Sequence, residues 1–246
     1  MTTAKTGNFF CALAFAFILS ASCCASAHAE EFRDNDFDFS SLKTVLVMPV
    51  QYDTKIPSEE AFFEEKTQQK WRELTDPEKT KINFLSKTPQ EIVSRDSFVT
   101  GKPADVSLTP ALIAARAVKL APQYVDAVLR MDVTQCEYKY VHHPEETYWD
   151  TRYETQSVRV DGKWVDVQVP IRYQRVRPAW DEAFACVTVK LELSDAKTGK
   201  LLYGNQLAAQ DSGGLFSSVP SLTAETCSMM AKCAKKLPVK KQNEDN

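Results

Sequence analysis

Histidine is nearly absent from this chain, with three in 246 residues, and one of them, His28, lies in the N-terminal leader. A Ser-His-Asp or Cys-His site would have to use His142 or His143. No nucleophile elbow, phosphate loop or dinucleotide fingerprint occurs either. Paired catalytic carboxylates have no local signature, so a hydrolase is the runner-up to a non-enzymatic reading. Basic clusters are missing too: 30 Lys and Arg stand against 33 Asp and Glu, for a formal net charge of −3. A weakly acidic chain without a basic patch is a poor nucleic-acid binder.

Long apolar runs are also lacking. The longest, Phe9–Leu19, is too short to span a bilayer. It follows Lys5 and precedes Ala27-His28-Ala29, the small-residue pattern of a cleaved signal peptide. Cleavage after Ala29 makes Glu30 the mature N-terminus and places the protein in the periplasm. Cys23 and Cys24 raise lipidation as an alternative, but Ser20-Ala21-Ser22 lacks the large aliphatic residue of a lipobox. Beyond the leader only Cys136, Cys186, Cys227 and Cys233 remain, too few for a disulfide scaffold. No cofactor motif is present.

What the chain does have is a self-complementary stretch, 124–198, that reads as one antiparallel β-ribbon. In its distal half, Thr147–Val160 and Lys163–Arg177 flank Asp161-Gly162. A two-residue turn there would set Val167, Val169 and Ile171 against Gln156, Glu154 and Arg152. A three-residue loop, 160–162, with Gly162 in a G1 bulge, matches apolar to apolar instead. Val167 then meets Thr155, Val169 meets Tyr153, Ile171 meets Thr151 and Tyr173 meets Trp149. The same register carried inward pairs Val133 with Val189, Met131 with Leu191 and Leu129 with Leu193. It also sets Pro144 opposite Pro178 and Cys136 opposite Cys186, within reach of a disulfide.

The remaining chain predicts an α+β fold: a mixed, largely antiparallel sheet packed by helices, with a long protruding β-hairpin at 142–182. An acidic stretch, 30–42, reads as an exposed leader before a single domain, 43–237. Lys43–Val50 is a buried strand, and a helix runs from a Ser58 N-cap to about Leu74 with Glu59 and Glu60 in its first turn. Residues 82–98 fit either a short strand or a short helix. Thr109-Pro110 opens a helix that stops at Pro122. Asp195–Gly199 turns the chain into a last strand, Leu201–Gly204, and Gly213-Gly214 marks a flexible loop. The final helix, 221–237, is amphipathic, its two cysteines diverging around the axis. The tail, 238–246, reads as disordered.

Lys43–Val50, Gln123–Leu129 and Asp195-Ala-Lys-Thr-Gly199 follow one another in an order that resembles the periplasmic α/β domains of the curli-secretion-channel (CsgG) and TolB N-terminal group. The resemblance implies a mixed sheet backed by helices, in a protein that binds or assembles at the envelope. It supplies no catalytic residues, and the excursion at 142–182 departs from the minimal domain.

His142-His143-Pro144-Glu145-Glu146 is the one metal-like cluster. Adjacent histidines on a strand point to opposite faces, which favours a polar kink over a metal site. The hairpin is the better functional candidate, because a lone hairpin is marginal in water and its apolar strip needs cover. Trp149, Tyr153, Val167, Val169, Ile171 and Tyr173 are the expected partner-binding residues. Three occupants stay open: the protein's own body, another envelope protein or second copy, and lipid. The lipid reading follows the curli-channel likeness, because that channel builds its barrel from ribbons of many subunits; it is the least favoured.

Overall fold

The structure is a computed structural model that describes residues 29–58, 60–80, 82–101, 108–212 and 218–238. The expected signal segment before Ala29, Glu59, the Gly213-Gly214 loop and all but the first residue of the expected tail fall outside them.

The chain begins with β1 (Ala29–Arg33) and a 3-10 turn (Phe39–Ser41), then β2 (Thr44–Val47), β3 (Gln51–Tyr52) and α1 (Phe63–Thr75). Next come β4 (Leu85–Lys87), α2 (Pro89–Thr100) and α3 (Pro110–Tyr124). The long β5 (Ala127–His143), β6 (Glu146–Val160), β7 (Lys163–Arg177) and β8 (Trp180–Asp195) follow. β9 (Leu201–Asp211) and α4 (Leu222–Lys235) complete the fold. One sheet has the order β1-β9-β8-β5-β2-β4, with β3 also pairing β5. β1, β9, β8 and β5 are each antiparallel to the next, whereas β2 runs parallel to both β5 and β4. This is the expected α+β fold with a mixed, largely antiparallel sheet.

Alternation along the strands sends side chains to two cores. Val45, Leu129, Met131, Leu191, Leu193 and Tyr203 pack under α1 and α4, with Trp71 and Met230. Leu46 and Val128 point the other way, against Ile92 of α2 and Ala117 and Ala121 of α3. Each fully buried leucine, isoleucine, valine or methionine among them contributes roughly 1.5–3 kcal/mol. On α4 the buried residues are Leu222, Thr223, Thr226, Met229, Met230, Cys233 and Ala234, the face its periodicity predicts.

Several boundaries differ from expectation. Residues 30–42 are not an exposed leader: β1 pairs with β9 from Ala29↔Leu207 to Arg33↔Tyr203, and Phe39 and Leu42 are buried in the core. β1 is a charged edge strand, so hydrophobic periodicity does not mark it. α3 passes through Pro122 to Tyr124, because a proline in the last turn forfeits one backbone hydrogen bond while Val125 N–H still reaches the Ala121 carbonyl at 2.9 Å. Residues 82–98 hold both elements: β4, then α2 behind a Thr88/Glu91 capping box. The last strand continues past Gly204 to Asp211.

α1 starts at Phe63 behind Phe62 in a left-handed conformation (φ 61°), not at Ser58. Glu60 therefore lies outside α1 and caps α4 instead. Its carboxylate accepts from Leu222 N–H (2.7 Å), Thr223 N–H (3.3 Å), Thr223 Oγ1 (2.6 Å) and the Tyr138 hydroxyl (2.9 Å). Burial pushes its pKa up, but the hydrogen bonds from Thr223, Tyr138 and the α4 backbone outweigh it and hold the carboxyl below its ordinary value. Stability from this contact is present above the unfolded-state pKa and is lost as pH falls through the lowered folded value. Glu60→Ala is expected to cost ~1–3 kcal/mol in urea melts at neutral pH. The deficit should shrink as pH falls through and below the ordinary carboxylate range; a variant as stable as the parent would show that the cap is idle.

Candidate functional site: the hairpin arm

β5 and β8 pair at their root as the sequence predicts, with Leu129 opposite Leu193, Met131 opposite Leu191 and Val133 opposite Val189. Then the register shifts. Between Val133 and Gln135 the ladder skips Thr134, so Gln135 meets Thr188, Cys136 meets Val187 and Glu137 meets Cys186. This β-bulge moves every later pair by one residue. The new offset continues to His143↔Trp180, resumes beyond the neck at Glu146↔Arg177 and ends at Val160↔Lys163. At the tip Asp161 (φ 51°) and Gly162 (φ 80°) form a two-residue turn with both φ positive, the type I′ geometry that matches strand twist. The three-residue loop is thereby corrected: the extra residue sits at the root of the ribbon.

The bulge also undoes the expected disulfide. Cys136 faces Val187 in the core, Cys186 lies across from Glu137 on the other face, and all four cysteines in the described residues are free. Burial pushes the Cys136 thiol up to about 11 and the Cys233 thiol up to about 12.

At the neck the ladder is interrupted between His143 and Glu146 and between Arg177 and Trp180, where Pro144 and Pro178 stand. Just below it, His142 Nδ1 lies 2.7 Å from Asp181 and His143 Nε2 3.0 Å from Glu182. The two imidazoles thus engage separate carboxylates, and the His143 ring stacks on Trp180 at 4.1 Å.

Beyond the neck, β6 and β7 form a two-stranded sheet of 15 residues each. Among the described residues, none of this arm belongs to either core, so the described part of the body does not cover it. Directly opposed residues share a face, and the observed register divides the six expected binding residues. Val167, Val169, Ile171 and Tyr173 lie opposite Gln156, Glu154, Arg152 and Asp150. Polar contacts overlay this face. Asp150 takes hydrogen bonds from Tyr173 (3.1 Å) and Arg175 (3.2 Å), Arg152 pairs with Glu154, and the Arg152 and Arg177 guanidinia lie over Tyr173 and Tyr148. Backbone-bonded Thr151 and these side chains hold the Asp150 carboxyl below its usual value.

Trp149 and Tyr153 point to the other face, opposite Gln174 and Pro170, and share it with Trp164. These three rings are 61%, 69% and 71% exposed. Trp164 is not among the six residues expected from the sequence. Its signal was present, an aromatic two residues past a type I′ turn dipeptide, but only the correct register assigns it to this face.

No family model matches the chain, and no curated protein matches it in sequence. The resemblance to the curli-channel and TolB N-terminal group therefore stays a resemblance. Among solved structures, the PelC dodecamer from Paraburkholderia phytofirmans is 15% identical, with a TM-score of 0.39, covering 88% of this chain and 99% of that one. The lipoprotein GNA1162 from Neisseria meningitidis is 15% identical (TM-score 0.34), covering 78% of this chain and 98% of its own. The LpoB C-terminal domain from Escherichia coli is 13% identical (TM-score 0.32), over 72% and 90% of the two chains. Likenesses this distant say nothing about what the arm does, which rests on its own geometry.

Peptide mapping after denaturing alkylation without reductant is expected to recover Cys136 and Cys186 as separate alkylated peptides. In the native protein, Cys136 and Cys233 should react far more slowly than after unfolding. A Cys136–Cys186 crosslink would refute the bulge at Thr134.

Proposed function

We propose that the protein is exported and acts in the periplasm as a non-enzymatic binding or assembly protein of the cell envelope, with the arm as its contact surface. The observation that carries this reading is the exposure of Trp149, Tyr153 and Trp164 on one face of an arm that no core of the described residues includes. Aromatic rings are the usual anchors of protein interfaces, and burying each against a partner is worth roughly 2–3 kcal/mol beyond its exposed state. Among the described residues, no strand pairs with either backbone edge of the two-stranded arm, which offers strand addition to another protein or to a second copy. Cleavage after Ala29 would leave Glu30–Arg33 in place on β9, in keeping with a mature chain that starts there.

Lipid is the weaker occupant. A membrane barrel needs one continuous apolar face, and here Arg159, Asp166 and Arg172 interrupt one face while Asp150, Arg152 and Arg175 interrupt the other. Among the described residues, no helix is long and apolar enough to cross a membrane.

Joining Glu146 to Val176 is expected to leave a folded body with unchanged thermal unfolding, because the arm supplies no core side chain; an unfolded product would make the arm part of the core. Native mass by light scattering, with and without lipid vesicles, then separates the occupants. Growth of the assembly that depends on Trp149, Tyr153 and Trp164 identifies self-association. If the protein stays monomeric, a photo-crosslinking residue at position 164 should capture an envelope protein in cells. Alanine at Trp149 or Tyr153 is expected to lower that yield about tenfold or more. Equal yields from position 169, on the opposite face, would sink the assignment.

A further inference from the structure

Away from the arm, the parallel part of the sheet ends in a crevice. β2 lies between β4 and β5; the chain leaves β2 for β4 through α1, on one face, and returns from β4 to β5 through α2 and α3, on the other. Adjacent strands whose connections depart to opposite faces form a topological switch point, and the space beyond their carboxyl ends is where open parallel sheets hold ligands. Here that space is a cavity of 490 Å³ beyond Val47 and Lys87, walled by the end of α1 and the starts of α2 and α3. The volume lies in the range of small-molecule sites.

The walls are tied together before any ligand arrives. Trp71 Nε1 donates to the Met48 carbonyl (2.8 Å), the Gln68 amide bonds both N–H and carbonyl of Val50, and Ser86 Oγ donates to the Thr75 carbonyl (2.5 Å). Pro49, Pro77, Pro89 and Pro110 add rigid apolar surface without N–H donors. The interior therefore offers apolar contact and few free hydrogen-bonding groups. Charge enters at the rim. Arg72 lines the cavity, and its guanidinium has no hydrogen bond or ion pair among the described residues. Lys87 adds a second cation, held 3.7 Å from Glu91. Asp76, the acid on the same rim, is already engaged by Glu78 N–H (2.9 Å) and Lys79 (3.9 Å).

We infer that this crevice binds a small apolar carboxylate, its body against Met48, the prolines and Ile113 and its carboxylate toward Arg72. The inference stands independently of the arm. Decanoate and decanol, at concentrations below self-assembly, are the probes, titrated into the purified protein by calorimetry. Decanoate is expected to bind saturably at one site, at least tenfold tighter than decanol. Arg72→Gln should remove that preference and leave decanol binding unchanged. Ile113→Trp, which fills the cavity, should abolish binding of both, with far-UV circular dichroism and thermal midpoint confirming a folded variant. Absence of saturable decanoate binding would overturn the assignment. So would binding that survives Ile113→Trp, or a decanoate preference that survives Arg72→Gln.

Discussion

Side-chain period along a strand is two, so one unpaired residue reverses the face of every later residue on its own strand relative to the strand opposite. Thr134 is that residue. Below it, Val133 and Val189 share the core with their neighbours; above it, Cys136 is set against Val187 and Trp149 against Gln174. The arm's chemistry, including which aromatics share a face, is inherited from a bulge at its root. Hydrophobic matching along the arm pointed to the other register because it rewards apolar pairs. The arm instead satisfies itself through mixed pairs such as Arg152 over Tyr173 and Asp150 with Arg175.

What local chemistry marks, the sequence makes legible. Thr109-Pro110 and Ser221 cap their helices, Asp195–Gly199 turns on the Asp195 carboxylate with Gly199 at φ 71°, and strand alternation identifies the principal core. The missed features depend on contacts remote in sequence or on positions without a signal. β1 exists because β9 offers an edge, not because Glu30–Arg33 favours a strand. Thr134-Gln135 has neither glycine nor proline to announce a bulge. The crevice beyond the ends of β2 and β4 is assembled from five separate elements, none of which resembles a site alone.

Glu60 connects these parts. It lies before α1, receives the Tyr138 hydroxyl from β5 and caps α4, which covers β8 and β9. One carboxylate thus joins the strand that becomes the arm to the helix that seals the core. The charge is cheap to hold because four donors converge on it and one end of a helix faces it.

The arm's placement in the sheet has a mechanical meaning. β5 and β8, the strands that extend into it, are central, with β2 and β9 on their outer sides. A tension applied at the tip runs along both strands in the same direction and does not peel one from the other. It reaches the body as shear, distributed over many ladder hydrogen bonds to β2 and β9 at once. An arm grown from the edge strand β1 would be held against the same force on one side only, by its bonds to β9.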